Sequence, residues 1–390
     1  MRRHYLLLVA TIGALTASCR GCAETKAAEA APSDARAGPD GQAASIDVEG
    51  FRARARVPAI GWAVVRRDSQ TTGAVGTADI DRRSVVNDET AFETASIAKT
   101  VIATCVLQLV EERRLSLDAD VSTYVGFAVR HPRRPGVITL RHLLTHTAGI
   151  ADREETRAPG TIALGDFLGA YFADAGSRSV FLGAGAGTAR AYSNVGPSLA
   201  ALAVERATGT RFAEHARQRV FEPLGMRTTA FGHGALPAGV VTAMPHAARG
   251  ETFVRLPSPS HALYPVVDLF STPRDLARFA RAVLRRGELD GERILASASV
   301  EEMLRVQLAD AAPEDALGWQ VRTFDGRRVV GHEGEDAGAS TGLYLDMESG
   351  TGAVVLANGD AFQSDDDARA LAIGELMTSL LSAARASAIP

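Results

Sequence analysis

Ser96-Ile97-Ala98-Lys99-Thr100-Val101-Ile102-Ala103-Thr104-Cys105-Val106-Leu107 is the stretch on which the fold turns. It is apolar on nearly all sides until Glu111, so it reads as a buried central helix rather than an amphipathic surface one. Residues three apart share a helix face, which lets Ser96 and Lys99 hydrogen-bond inside a desolvated site. Burial favours a neutral amine, and a neutral amine can take a serine proton. The serine also stands where a helix N-terminus, with its free N–H groups and dipole, favours developing negative charge. Of 42 basic residues only Lys26 and Lys99 are lysine. Arginine stays charged and cannot serve as a base, so Lys99 marks a position that needs one. Taken alone, the same spacing also describes an N-cap serine with an incidental lysine, so the surrounding chain has to decide.

Outward from this helix, Val57 to Val65 and Thr71 to Thr77 read as two strands joined by the polar Arg66-Arg67-Asp68-Ser69 turn. Near the other end, Leu317 to Arg322, Arg328 to His332, Thr341 to Asp346 and Gly352 to Ala357 give further strand-like runs. A closing helix is expected over Ser364 to Arg385, with Ser364 and Asp367 as a capping-box-like start. Strands at both ends with helical patterns between them predict an α+β fold, one antiparallel sheet closed by the N- and C-terminal segments.

Two more segments carry chemistry. Tyr192-Ser193-Asn194 offers a phenol as an alternative general base and an amide to bind a substrate carbonyl or orient the lysine. Its plainer reading is a tyrosine closing a loop onto the core. Gly331-His332-Glu333-Gly334-Glu335-Asp336-Ala337-Gly338 leads into a strand, where Gly334 allows close backbone approach and an edge could offer an N–H to an oxyanion. A metal reading of His332, Glu333 and Asp336 lacks a second histidine at ligand spacing, and no metal or cofactor is expected.

At 390 residues, 46% hydrophobic and 23% charged, the chain is long enough for well-buried cores. A net charge of -4 is small for this length and gives no argument for nucleic acid or acidic lipid as the main partner, and no nucleic acid is expected. Residues 1–22 read as a signal peptide: Arg2-Arg3, an apolar stretch from Tyr5 to Leu15 too short to span a bilayer, then Ala17-Ser18-Cys19. Cys19 resembles a bacterial lipoprotein acylation site, which predicts an exported, periplasmic or cell-envelope protein with a membrane tether; ordinary cleavage without lipid is the alternative. Residues 23–45 are rich in Ala, Gly, Pro, Asp and Ser and read as a flexible linker. Residues 46–385 form the remaining domain, and three cysteines do not make a disulfide framework.

In this order, the three elements resemble the serine β-lactamase and penicillin-binding transpeptidase superfamily, whose members carry an S-x-x-K motif. The resemblance extends over nearly all of residues 46–385, including Ile138 to Ile150, Pro223-Leu224-Gly225-Met226, Leu317-Gly318-Trp319 and Val354 to Gly359, and points to the class C branch with its peptidases and carboxylesterases. It implies a central antiparallel sheet flanked by helices with a mainly helical subdomain. It also implies that Ser96 is the nucleophile of an acyl-enzyme, Lys99 its base partner, Tyr192 the group that shares proton transfer and activates water, and Asn194 a substrate-binding amide. His332 would take the place of the lysine in the family's lysine-threonine-glycine motif, with the N–H groups of Ser96 and Glu335 as oxyanion donors. His146 is expected to position its loop rather than act in a triad. The motif departs from the family at His332 and Glu333, which would hold a substrate carboxylate poorly and shift weight to esters, amides or peptides without an anchoring anion. Val267-Asp268 stands where a glycine pair is common, so the cleft wall there should differ. The expected partner is a small-molecule ester, amide or peptide; a non-hydrolytic sensor or binding protein on the same fold is the alternative.

Overall fold

The structure, a computed structural model, describes residues 46–153, 156, 158–173 and 180–386. The expected signal peptide, Cys19 and the linker lie outside the described residues. Seven strands build the main sheet: β1 (Ala59–Arg66), β2 (Gln70–Asp79), β3 (Ser84–Val85), β4 (Gln320–Phe324), β5 (Arg327–Asp336), β6 (Ala339–Asp346) and β7 (Thr351–Ala357). Their order is β4-β5-β6-β7-β1-β2-β3, antiparallel throughout. The last strand, β7, lies against the first, from Ile60 opposite Ala357 to Arg66 opposite Thr351. The sheet is thus closed by the two ends of the chain, as expected. Asn358 ties the seam: its Oδ1 accepts from the Ala59 N–H at 2.7 Å and its amide donates to the Ala78 carbonyl at 3.1 Å.

Six helices matter for the site: α1 (Val48–Ala55), α2 (Ala98–Glu111), α3 (Val195–Thr208), α4 (Tyr264–Val267), α5 (Pro273–Leu284) and α6 (Asp367–Ala386). The period-2 alternation of β1 sorts its side chains between two cores. Ile60 and Val64 pack with Val48 and Ala55 of α1 and Ile373, Leu376 and Leu380 of α6. Ala59, Ala63 and Val65 face the second core, shared with α2, α3 and α5. Every residue of α2 from Ala98 to Leu109 is buried, which its all-round apolar pattern requires. Cys105, inside it, is buried and free.

Most strand boundaries shift by one or two residues from the sequence reading, and β5 runs on to Asp336 instead of ending at His332. The strand expected from Leu317 begins at Gln320, because Gly318 turns the chain onto α2. Gly318 has φ +67°, donates to the Leu144 carbonyl at 2.8 Å, and would place a Cβ 2.6 Å from the Lys99 carbonyl oxygen. The closing helix starts at Asp367 rather than Ser364. Ser364 Oγ accepts from the Asp366 N–H, and Asp366 in turn accepts from the Ala368 N–H at 3.1 Å, so the aspartate is the capping group.

Candidate active site

Ser96 sits in a 3₁₀ turn, Ala95–Ile97, that leads directly into α2, so it precedes the α-helix rather than opening it. Ala95 adopts φ +47°, uncommon for a residue with a Cβ, and this bend delivers the serine at the end of the short strand Ala91–Glu93. Lys99, the second residue of α2, is fully buried. Its Nζ donates to Ser96 Oγ at 2.7 Å and approaches the Val266 carbonyl of α4 at 3.5 Å. Among the described residues no carboxylate pairs with it. The Tyr192 hydroxyl donates to the same Ser96 oxygen at 2.9 Å, and Lys99 Nζ stands 5.1 Å from the centre of the Tyr192 ring. A lysine three residues away and a tyrosine 96 residues away thus meet at the serine oxygen.

Tyr192 is held from two sides. The His146 ring stacks on it, centroids 4.2 Å apart, and His146 Nδ1 accepts from the Ser193 N–H at 3.3 Å. Burial, with the nearby Lys99 and His332, pushes the His146 pKa well below the usual imidazole range, so the stacking ring is neutral. Asp152 accepts from the Ser193 hydroxyl at 2.7 Å, the Asn194 N–H at 2.8 Å and the Val195 N–H at 3.1 Å. It caps α3 from outside the helix. Nothing in the sequence around Asp152 signals this role; only the fold brings it to a loop about forty residues away. Asn194 has its backbone anchored there, while its side-chain oxygen is buried without a hydrogen-bond partner.

The third element lies on β5. Strand β4 pairs with β5 only as far as Gly331, opposite Gln320, so residues 332–336 run on as an edge beside the Ser96 turn. Gly334 makes the contact close: a Cβ there would lie 2.1 Å from Thr341 Oγ1 and 2.3 Å from the Thr94 carbonyl oxygen. The Thr341 hydroxyl donates to that carbonyl at 2.9 Å, clamping strand to turn. Glu335, the next residue, faces Ser340 of β6 in register and has an exposed side chain. His332 is buried, its ring 6.4 Å from that of Tyr192. Its Nδ1 lies 2.5 Å from the Glu333 carbonyl oxygen, so that nitrogen carries the proton, and Nε2 is an acceptor with no partner. Burial and then the charge of Lys99 push its pKa down to about 3. A neutral imidazole therefore stands there.

The altered wall at Val267-Asp268 has a specific form. Asp268 is buried and turned away to His261, accepting from its N–H at 2.8 Å and meeting its Nδ1 at 2.6 Å. Among the described residues no group of three or more His, Cys, Asp or Glu side chains is arranged to hold a metal ion.

This arrangement and this topology are those of a serine hydrolase or penicillin-binding protein, and the family follows from comparison. The family described as Beta-lactamase matches residues 47–377, and the chain belongs to it, a family of serine hydrolases and penicillin-binding proteins. Penicillin-binding protein 4 of Amycolatopsis lactamdurans is 31% identical over 291 residues, covering 70% of this chain and 74% of that one. Esterase EstB of Burkholderia gladioli is 33% identical over 172 residues, 40% of this chain and 43% of its own length. Among solved structures, D-amino acid amidase of Ochrobactrum anthropi SV3 aligns with a TM-score of 0.71 at 21% identity, over 87% of this chain and 98% of that one. That last likeness shows the shared fold.

Proposed function

We propose that the protein is an exported serine hydrolase that acylates Ser96 with esters or amides and releases the acyl group to water. The observation that carries this is the meeting of Lys99 Nζ and Tyr192 OH on Ser96 Oγ, at 2.7 and 2.9 Å. In acylation the Ser96 proton passes to Lys99 while Oγ bonds to the substrate carbonyl carbon. The carbonyl π electrons move to oxygen, held by the N–H groups of Ser96 and Glu335. Collapse breaks the bond to the leaving group, which takes the proton back from Lys99 through Tyr192. Water then attacks the acyl-serine, giving its proton to the Tyr192–Lys99 pair, and Ser96 leaves protonated. Asn194 supplies a side-chain amide to the acyl group.

The neutral His332 favours substrates without an anchoring carboxylate, and an esterase and a D-amino acid amidase among the similar proteins fit that preference. Residues 1–22, with Cys19 as the acylated end, support export and a lipid tether; palmitate incorporation lost on Cys19→Ala tests it. The enzyme reading is tested by a fluorophosphonate probe with peptide mapping, and by Lys99→Arg. The probe should label Ser96. The arginine variant keeps charge but cannot deprotonate, so ester turnover should fall by about 10²–10⁴-fold. Absence of label on Ser96, or undiminished turnover in the variant, sinks the reading.

A further inference from the structure

Resting on the acyl-enzyme reading above, we propose that Arg190, anchored by the buried carboxylate of Asp315, is a positioning residue for Tyr192: it fixes a permanent positive charge beside the phenol, which helps the Tyr192–Lys99 pair give up its proton. Arg190 stands two residues before the tyrosine, on the segment that follows the Gly183 to Gly187 run. Backbone bonds strap that segment down. The Gly187 N–H donates to the Thr147 carbonyl at 2.8 Å, and the Ala191 N–H to the His146 carbonyl at 2.7 Å. The guanidinium carbon lies 5.9 Å from the centre of the Tyr192 ring. Its Nε donates to Asp315 Oδ2, and a terminal nitrogen donates to Oδ1 at 3.3 Å, a two-point grip that a lysine does not reproduce. Asp315 is 1% exposed and sits just before the turn in which Gly318 presses on the Lys99 carbonyl. The arginine is therefore pinned between the tyrosine loop and the segment that packs on α2.

The reason for a fixed charge here lies in what surrounds the phenol. Lys99 Nζ is 5.1 Å from the ring centre, the His146 ring is stacked at 4.2 Å and the His332 ring lies at 6.4 Å. Asp152 is committed to Ser193, Asn194 and Val195, and Arg322, which acts on His332, is paired with Glu314. Both imidazoles are neutral, so β5 brings no cation to the phenol at the place where the family motif has a lysine. Lys99 must shed its own charge to act as a base, whereas a guanidinium keeps its charge throughout. A cation this close to a titrating group favours the deprotonated form, whether the proton sits on the phenol or on the amine. The Arg190–Asp315 pair turns its positive end to the site: burial and Lys99 lower the pKa of His146 and of His332, and Arg190 adds to the lowering of both.

The test follows the rate of fluorophosphonate labelling of Ser96 against pH in the full chain. That rate rises as the Tyr192–Lys99 pair loses its proton, with an apparent midpoint that belongs to the pair. Arg190→Gln should raise the midpoint by about one pH unit or more and slow labelling about tenfold below it. Asp315→Asn breaks the same ion pair but keeps the cation, so it should not raise the midpoint. Arg190→Gln leaves a buried carboxylate without its partner, and if that variant does not fold, the double variant Arg190→Gln/Asp315→Asn removes both charges and carries the same expectation. An unmoved midpoint in the variant lacking Arg190 overturns the proposal. An equal rise in Asp315→Asn also overturns it, because the ion pair would then be only a structural tie. Failure of the unmodified protein to label at Ser96 removes the acyl-enzyme reading itself, and this proposal with it; normal labelling with an unmoved midpoint removes only the role of Arg190.

Discussion

Ser96 Oγ is the atom on which Lys99 and Tyr192 converge, and in the proposed reaction the two groups hydrogen-bonded to it have separable roles. Lys99 is local, three residues along the same turn, and sealed from solvent. Tyr192 arrives from 96 residues away and remains partly exposed, at 39%. A water molecule attacking an acyl-serine comes from the solvent side, so the phenol is the better placed of the two to take its proton. Tyr192→Phe keeps the stacking on His146 and removes the hydroxyl. Deacylation should therefore slow by about 10²-fold or more, with the acyl-enzyme accumulating as a mass adduct on Ser96. A variant that turns over at the wild-type rate with no adduct would contradict this role.

At the scale of elements, the site is a contact between the free half of β5 and the turn before α2. Gly334 and Thr341 govern that contact. With a Cβ 2.1 Å from Thr341 Oγ1 and 2.3 Å from the Thr94 carbonyl, Gly334→Ala must push the strand off the turn, since backbone lies on one side. Overpacking of this kind costs about 1–3 kcal/mol, and it moves Glu335 away from Ser96. We expect a lower denaturation midpoint together with a fall in kcat of at least about tenfold. Full activity in the alanine variant would show that the approach of strand to turn is not needed. The clamp by Asp152 acts at the same scale: it ties three donors of the Ser193–Val195 segment to a loop that follows Ile150. Strand periodicity and the apolar helix α2 were readable from the chain. The bond from Asp152 and the early end of β4 were not, because neither leaves a local pattern.

At the scale of the whole molecule, burial has left several histidines neutral. His332 is lowered to about 3, His215 to about 4, and His146 well below its ordinary value, each chiefly by burial. Unfolded, such groups titrate near about 6.5, so below that pH the unfolded chain binds more protons than the folded one. Stability from these residues is full above that value and is lost as pH falls toward the folded pKa values. Glu93 and Glu335, raised in the fold, act in the opposite sense, so a variant is needed to isolate the histidine part. The urea midpoint should fall between pH 7.5 and pH 5, and His332→Gln should reduce that fall; an unchanged pH dependence in the variant would show that His332 is not held neutral. The sequence by itself determined what depends on neighbours along the chain: the Ser96–Lys99 spacing, the buried helix behind it, and the alternation that makes a two-sided sheet with both chain ends in it. Only the tertiary structure decided what depends on distant packing: Tyr192 and Lys99 on one oxygen, His146 and Asp152 behind the tyrosine, Gly334 against Thr94, and a histidine left with an unmet acceptor. Backbone geometry carries the first set over three or four residues. The second set arises only when the sheet register and the helix packing have placed segments from across the chain against each other.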